Sequence, residues 1–252
     1  MDETSLLSQF EKWKKEHDQH GRMAFSRFIM LTFLDGLEKV SDDFIFKGGN
    51  LLWHYIQTPR ATVDLDLSTI TLKSHLEIKQ CLEQSFAIHK EIQFSIKEFR
   101  TIHDEEEIGA AITITYQTYH GQKNQFEIDI VYTLPTDLVK IKSTVSDRSL
   151  TSASIENIIA DKVNAAHRFA GGNTRMKDFD DLWRISKSDI RINKSKVNRL
   201  FKKRVIPFSL EGTWVENLNH AWKGHVKRYK DLPSDILVIF EDINSWLKGL
   251  KK

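Results

Sequence analysis

Cysteine is almost absent: Cys81 is the single one in the chain. That excludes an internal disulfide and any zinc site built on several thiolates, and it fits a reducing compartment. Proline and glycine are scarce, 4 and 11 in 252 residues, which favours helices over a loop-rich all-β fold. An excess of one charge is missing too. The 37 Lys and Arg against 35 Asp and Glu leave a net +2, too even for a protein that coats polyanions over its whole surface. A local basic patch stays open. No stretch approaches the roughly 18 consecutive apolar residues of a membrane span. Residues 1–19 are charged throughout and lack the apolar run and small-residue cleavage site of a secretory leader. These absences point to a cytoplasmic protein with no membrane partner. What is present is ordinary globular material, 40% hydrophobic and 29% charged, in a length that holds one large domain or two small ones.

Apolar residues recur three and four apart near the start (Leu6, Leu7, Phe10, Trp13, then Phe25, Phe28, Ile29, Leu31, Leu34), which predicts helices around a break at Gly21. From Phe44 the pattern shifts to short alternating runs at 62–68, 92–99, 111–119 and 125–133, with a helical segment at 73–89. Residues 120–124 suit a hairpin turn between the last two runs. Helical periodicity returns at 154–169, 177–187, 191–204 and 237–250, and the Ser- and Thr-rich stretch 142–154 reads as a boundary. The predicted architecture is α+β. A small mixed sheet with flanking helices fills residues 1–150 and a helical domain fills 151–252.

The sharpest chemical signal lies at 62–68. Side chains alternate across a strand, so Val63, Leu65 and Leu67 face one way and Asp64 and Asp66 the other. Two carboxylates on one strand face repel unless water or a cation intervenes, and hard oxygen donors are what Mg²⁺ prefers. Taken alone, the pair also fits a solvated acidic edge strand. A second strand adds weight: Phe126, Ile128, Ile130 and Tyr132 make an apolar face, while Asp129 lies opposite beside Val131. Pairing of the two strands would gather three acids around divalent ions, as in-line phosphoryl or nucleotidyl transfer requires. Glu127 shares Asp129's face but reads better as a solvated strand end.

Ahead of the acids, an apolar strand ends at Lys47-Gly48-Gly49 and a helix begins. Glycines let the backbone approach a phosphate, and the free amides of the helix N-terminus add partial positive charge. Strand, glycine pair, helix and acidic strand is the order a nucleotide site needs. Lys47 either assists with phosphate charge or is exposed; Arg60 and Thr62, flanking the acidic strand, are further phosphate candidates.

In 154–169, Ile155, Ile158, Ile159, Ala165, Ala166 and Phe169 mark a buried stripe, and Lys162 falls on it. A lysine there must snorkel or meet an anion. The next helix opens with Lys177-Asp178-Phe179-Asp180-Asp181; Asp178 and Asp181 share a face and are partners for Lys162 or for a nucleotide. Asp180 reads as an acid stabilised by the helix dipole, and Asp161 as solvated. The run 187–204 carries eight Lys and Arg against the single acid Asp189, which suits an RNA backbone or a solvated basic helix.

Together these residues resemble the AbiEii/AbiGii toxin family of the polymerase-β-like nucleotidyltransferase superfamily. The pattern here is Lys47-Gly48-Gly49, then Arg60-x-Thr62-x-Asp64-x-Asp66, then Ala160-Asp161-Lys162, then Lys177-Asp178-Phe179-Asp180-Asp181-Leu182-Trp183. The resemblance implies Gly48 and Gly49 as the phosphate turn, Asp64 and Asp66 as ligands of Mg²⁺ (or Mn²⁺), and Asp129 as the superfamily's third carboxylate. It implies Lys162 as a phosphate contact and Asp178, with Asp181, as active-site acids of the helical domain. Two departures stand out: Gly49 where related enzymes often carry Ser, and Asp161 where the family often has Glu. Such proteins are typically toxins of toxin–antitoxin or phage-defence modules, encoded beside an antitoxin, and some resemble enzymes that add nucleotides to tRNA. The expected activity is NMP transfer from an NTP to an acceptor. The alternatives are a nucleotide-binding module without catalysis, or a transferase acting on a protein or small molecule.

Overall fold

The computed structural model describes residues 5–17, 21–60, 62–72, 74–103, 108–169, 175–210 and 216–251. The chain divides into two compact units, Met1–Ala153 and Ser154–Lys252.

In the first unit, α1 (Leu6–Glu16) and α2 (Gly21–Val40) precede a sheet of seven strands. The strands are β1 (Phe44–Lys47), β2 (Asp64–Thr69), β3 (Ile92–His103), β4 (Ile108–Thr118), β5 (Lys123–Val131), β6 (Leu138–Lys142) and β7 (Ser149–Ala153). Helix α3 (Gly48–Ile56) joins β1 to the loop before β2, and α4 (His75–Phe86) joins β2 to β3. Lys73, at the edge of the segment expected to be helical, lies outside the described residues. The strand order is β3-β4-β5-β2-β1-β7-β6. Parallel pairs β2–β5 and β1–β7 sit among antiparallel ones, so the sheet is mixed.

Alternation explains the layering. On β4 and β5, Ile112, Ile114, Phe126, Ile128 and Ile130 are buried. Phe33 of α2 meets Phe94 at 5.4 Å and Phe126 at 5.6 Å between ring centroids, so α2 covers this apolar face. The opposite positions, Gln125, Glu127 and Asp129, are exposed or half-buried. The hairpin turns at Gly121, whose φ of +82 a side chain would resist.

Two differences from the sequence reading have clear causes. Val63, expected on the buried face with Leu65 and Leu67, is 62% exposed because the strand starts only at Asp64. The stretch 142–154, read as a boundary, holds the division between Ala153 and Ser154, but ahead of that division it also contains β7, which runs parallel to β1 inside the sheet. Its small residues fit there because Ser152 and Ala153 are fully buried.

The second unit is helical: α5 (Ile155–Phe169), α6 (Met176–Lys187), α7 (Lys194–Arg204), α8 (Asn219–Val226) and α9 (Ile236–Leu250). Ser154 caps α5 by accepting from the Asn157 N–H at 3.1 Å. The rings of Phe179 of α6 and Phe240 of α9 meet at a tilt, 5.0 Å between centroids, in the core. Residues 170–174, between α5 and α6, lie outside the described residues.

Candidate active site

Strand β1 runs straight into helix α3. Gly48 has φ +71, and a side chain there would also overlap the Asp66 carboxylate. Glycine is required on both counts. A Cβ at position 49 would crowd the Arg60 guanidinium and stand 2.8 Å from Thr62 Oγ1. A serine at that position would meet those two side chains, which gives the departure from the related pattern a steric reason. The Gly49 N–H donates to Asp66 Oδ2 at 3.3 Å, so the positive end of α3 faces the acids.

Asp66 stands in register with Lys47 across β1–β2 and with Asp129 across β2–β5. Asp64 lies two residues back on β2, on the same face. Each of Asp64, Asp66 and Asp129 offers one carboxylate oxygen, and these all lie within 4.8 Å of one another. All three acids are half-buried. Burial, then the negative charges of Asp66, Asp64 and Glu127, push the Asp129 pKa up, while Lys47 pulls it back. Three hard oxygen donors whose charges repel at this range fit a divalent cation such as Mg²⁺. Glu127 is exposed and pairs with Arg100 at 3.6 Å, outside the cluster.

Lys47 is half-buried, close enough for its charge to act on Asp129. Arg60 and Thr62 are both more than nine-tenths buried, and their side chains converge beside Gly49. Thr62 Oγ1 has no hydrogen-bond partner among the described residues. Behind them, Asn50 Nδ2 donates to the Asp64 carbonyl at 2.6 Å. Arg27 of α2 donates to Asn50 Oδ1 at 3.2 Å and to the Arg60 carbonyl at 3.1 Å.

In the second unit, Lys162 Nζ donates to Asp178 Oδ1 at 3.2 Å and to Asp181 Oδ2 at 2.5 Å. The lysine on the apolar stripe thus meets two anions from α6. Burial acts to raise the Asp178 pKa, but Lys162 and Arg175 outweigh it and hold the carboxyl below its usual range. Asp180, read as an acid stabilised by the helix dipole, is fully buried, and Arg184 and His225 bind its two oxygens at 2.5 and 2.9 Å. Asp161 is half-exposed and holds Arg204. In the basic run, Lys187 pairs with Asp242 at 2.8 Å, while Lys194, Lys202 and Lys203 are exposed on α7.

Arg27 and Asn50 escaped the sequence reading. The only trace was an arginine set among the apolar Phe25, Phe28 and Ile29, and an amide directly after the glycines.

Residues 32–243 match the family described as nucleotidyl transferase AbiEii toxin, type IV TA system. The chain belongs to that family. Membership makes this AbiEii-family protein a nucleotidyltransferase enzyme and groups it with toxins of type IV toxin–antitoxin systems. Two solved structures from Helicobacter pylori share its fold. One, assigned as a nucleotidyltransferase, aligns at a TM-score of 0.59 and 15% identity over 92% of this chain and 95% of its own. The other, JHP933, aligns at 0.59 and 17% over 92% of each chain. At such identities the likeness speaks for the fold alone. No curated protein matches the sequence. Among the described residues, no helix is long and apolar enough to cross a membrane.

Proposed function

We propose that this AbiEii-family enzyme moves a nucleoside monophosphate from an NTP to a hydroxyl of an RNA acceptor, with tRNA the leading candidate. In this reading it works in the cytoplasm as a toxin restrained by a cognate antitoxin. The observation that carries the proposal is the convergence of Asp64, Asp66 and Asp129 within 4.8 Å, beside the Gly48-Gly49 turn.

The acceptor oxygen attacks the α-phosphorus, the bond from that phosphorus to the bridging oxygen breaks, and pyrophosphate leaves. Asp129, whose proton affinity is raised by burial and by Asp66, Asp64 and Glu127, takes the proton of the attacking hydroxyl. Asp64 and Asp66 hold Mg²⁺, which when bound supplies counter-charge to the phosphates and favours ionisation of the attacking hydroxyl. Domain roles follow: the first unit is the transferase core, with Gly48, Gly49, Lys47, Arg60 and Thr62 receiving the triphosphate. Thr62 brings a buried hydroxyl with no partner among the described residues, and Arg60 brings a fork of donors suited to phosphate oxygens. In the second unit, Lys162 contacts a nucleotide phosphate, with Asp178 and Asp181 holding its ammonium in one place. Exposed Lys194, Lys202 and Lys203 on α7 suit an RNA backbone.

The test is incubation with total RNA, Mg²⁺ and each radiolabelled NTP in turn, resolved on a gel. A labelled RNA band whose size matches tRNA supports the proposal. Label appearing only in protein or small molecules overturns the RNA acceptor, and pyrophosphate release with no labelled product at all overturns transfer.

A further inference from the structure

Arg27 lies five residues before the family-matched segment, which starts at residue 32. It nonetheless reaches the candidate site from α2. The residue is 96% buried, and its guanidinium lies over the Trp53 ring at 4.7 Å and spans two anchor points. One is Asn50 Oδ1, at 3.2 Å, and the other is the Arg60 carbonyl, at 3.1 Å. Asn50, itself fully buried, passes the first contact on: its Nδ2 donates to the Asp64 carbonyl at 2.6 Å. Because Arg27 can only donate, it fixes the Asn50 amide with oxygen towards itself and nitrogen towards Asp64. One side chain therefore ties the start of β2, the loop carrying Arg60 and the first turn of α3.

We propose that Arg27 is a positioning residue for the incoming NTP. It sets where the Arg60 side chain and the first metal-binding strand stand against the glycine turn. The proposal rests on the transferase reading above. The Arg60 charge also acts on Arg27: burial first, then that like charge, lower the Arg27 pKa to about 10. A phosphate at Arg60 offsets that charge, so the same arrangement favours a polyanionic substrate. A site of this kind works only when its supports hold it to within about 0.5 Å.

The experiment measures KM and kcat for whichever of ATP, CTP, GTP and UTP the wild-type protein uses fastest, with total RNA and Mg²⁺, for R27Q, R27K, N50A and R27Q/N50A. KM does not depend on how much enzyme is folded, so a purely structural role leaves it unchanged. The expected result is a KM raised about tenfold or more in R27Q, on the scale of a lost hydrogen bond from a charged donor. R27K, which reaches only one of the two acceptors, falls between. N50A raises KM as well, and the double variant loses less than the product of the two single losses, because both act through one relay. If R27Q fails to fold, R27K and N50A carry the comparison. A wild-type KM in R27K and N50A, or fully multiplicative losses, overturns the role of Arg27 while leaving the transferase reading intact. Absence of transfer by the wild-type protein with all four NTPs and total RNA overturns the transferase reading itself.

Discussion

Asp66 and Asp129 face each other in register across the parallel pair β2–β5, and their carboxylates share a cluster with Asp64. Without a cation this arrangement is self-repelling. The fold holds it in place from behind: the Gly49 amide donates to Asp66, and Asn50 grips the Asp64 backbone. Divalent ions should therefore stabilise the fold through linkage. In a thermal melt, millimolar Mg²⁺ is expected to raise the midpoint of the wild-type protein, and Asp66→Asn is expected to abolish most of that rise. An equal rise in both proteins would show that the ion binds elsewhere.

Gly48 is constrained by its φ of +71 and by the Asp66 carboxylate in the space a Cβ would fill. Gly48→Ala is expected to cost about 1–3 kcal/mol, the scale of a strained backbone site, and to displace Asp66. Urea unfolding measures the first effect and loss of the Mg²⁺-dependent midpoint shift the second. Wild-type stability with an intact Mg²⁺ response would contradict the steric reading.

Lys162, Asp178 and Asp181 form a nearly buried ion triad with side chains 12%, 4% and 0% exposed. Removing the cation takes the shared counter-charge from two buried acids, although Asp178 keeps Arg175 at 2.9 Å. Lys162→Met is expected to destabilise the chain by about 3 kcal/mol or more. Adding Asp181→Asn to that variant should recover part of the loss, which chemical unfolding of the single and double variants can read. A double variant less stable than Lys162→Met would mean that Asp181 is stabilised by something other than this lysine.

His89 sits against Gly36 of α2, its Nε2 buried without a hydrogen-bond partner among the described residues. Burial, then the nearby Lys39, lowers its pKa from 6.5 to about 4, against a smaller upward pull from Asp35. The unfolded chain thus takes up this proton before the folded one. Stability from His89 is full above pH 6.5, falls as pH drops below it, and stops falling below about 4. The loss is at most about 3 kcal/mol, less whatever solvent reaches the ring. Comparing wild type with His89→Phe by urea unfolding between pH 7 and 4 isolates this slope; parallel curves would contradict it.

The placement of Asp64 and Asp66 was legible because strand geometry puts residues two apart on one face. Asp129 was legible as a lone acid on a strand of apolar neighbours, and Lys162 as a cation on an apolar helix stripe. In each case the signal is local and periodic. What escaped depends on partners far along the chain. Asp180 is buried because Arg184 and His225 satisfy it, and His225 is 45 residues away. Strand β6 carries Lys140 and Lys142 at an edge and buries little, so its pattern is faint. Arg27 looks like an interruption in an apolar helix until Asn50 and the Arg60 carbonyl are seen beside it.

The most direct test of the acidic cluster as the transfer centre is the rate of labelled NMP incorporation into RNA by Asp129→Asn at saturating Mg²⁺ and NTP. The expected result is a fall of at least about a hundredfold, with a metal-free melting midpoint unchanged or higher because one repelling charge is gone. Incorporation within a factor of about two of wild type by a folded Asp129→Asn protein would contradict it.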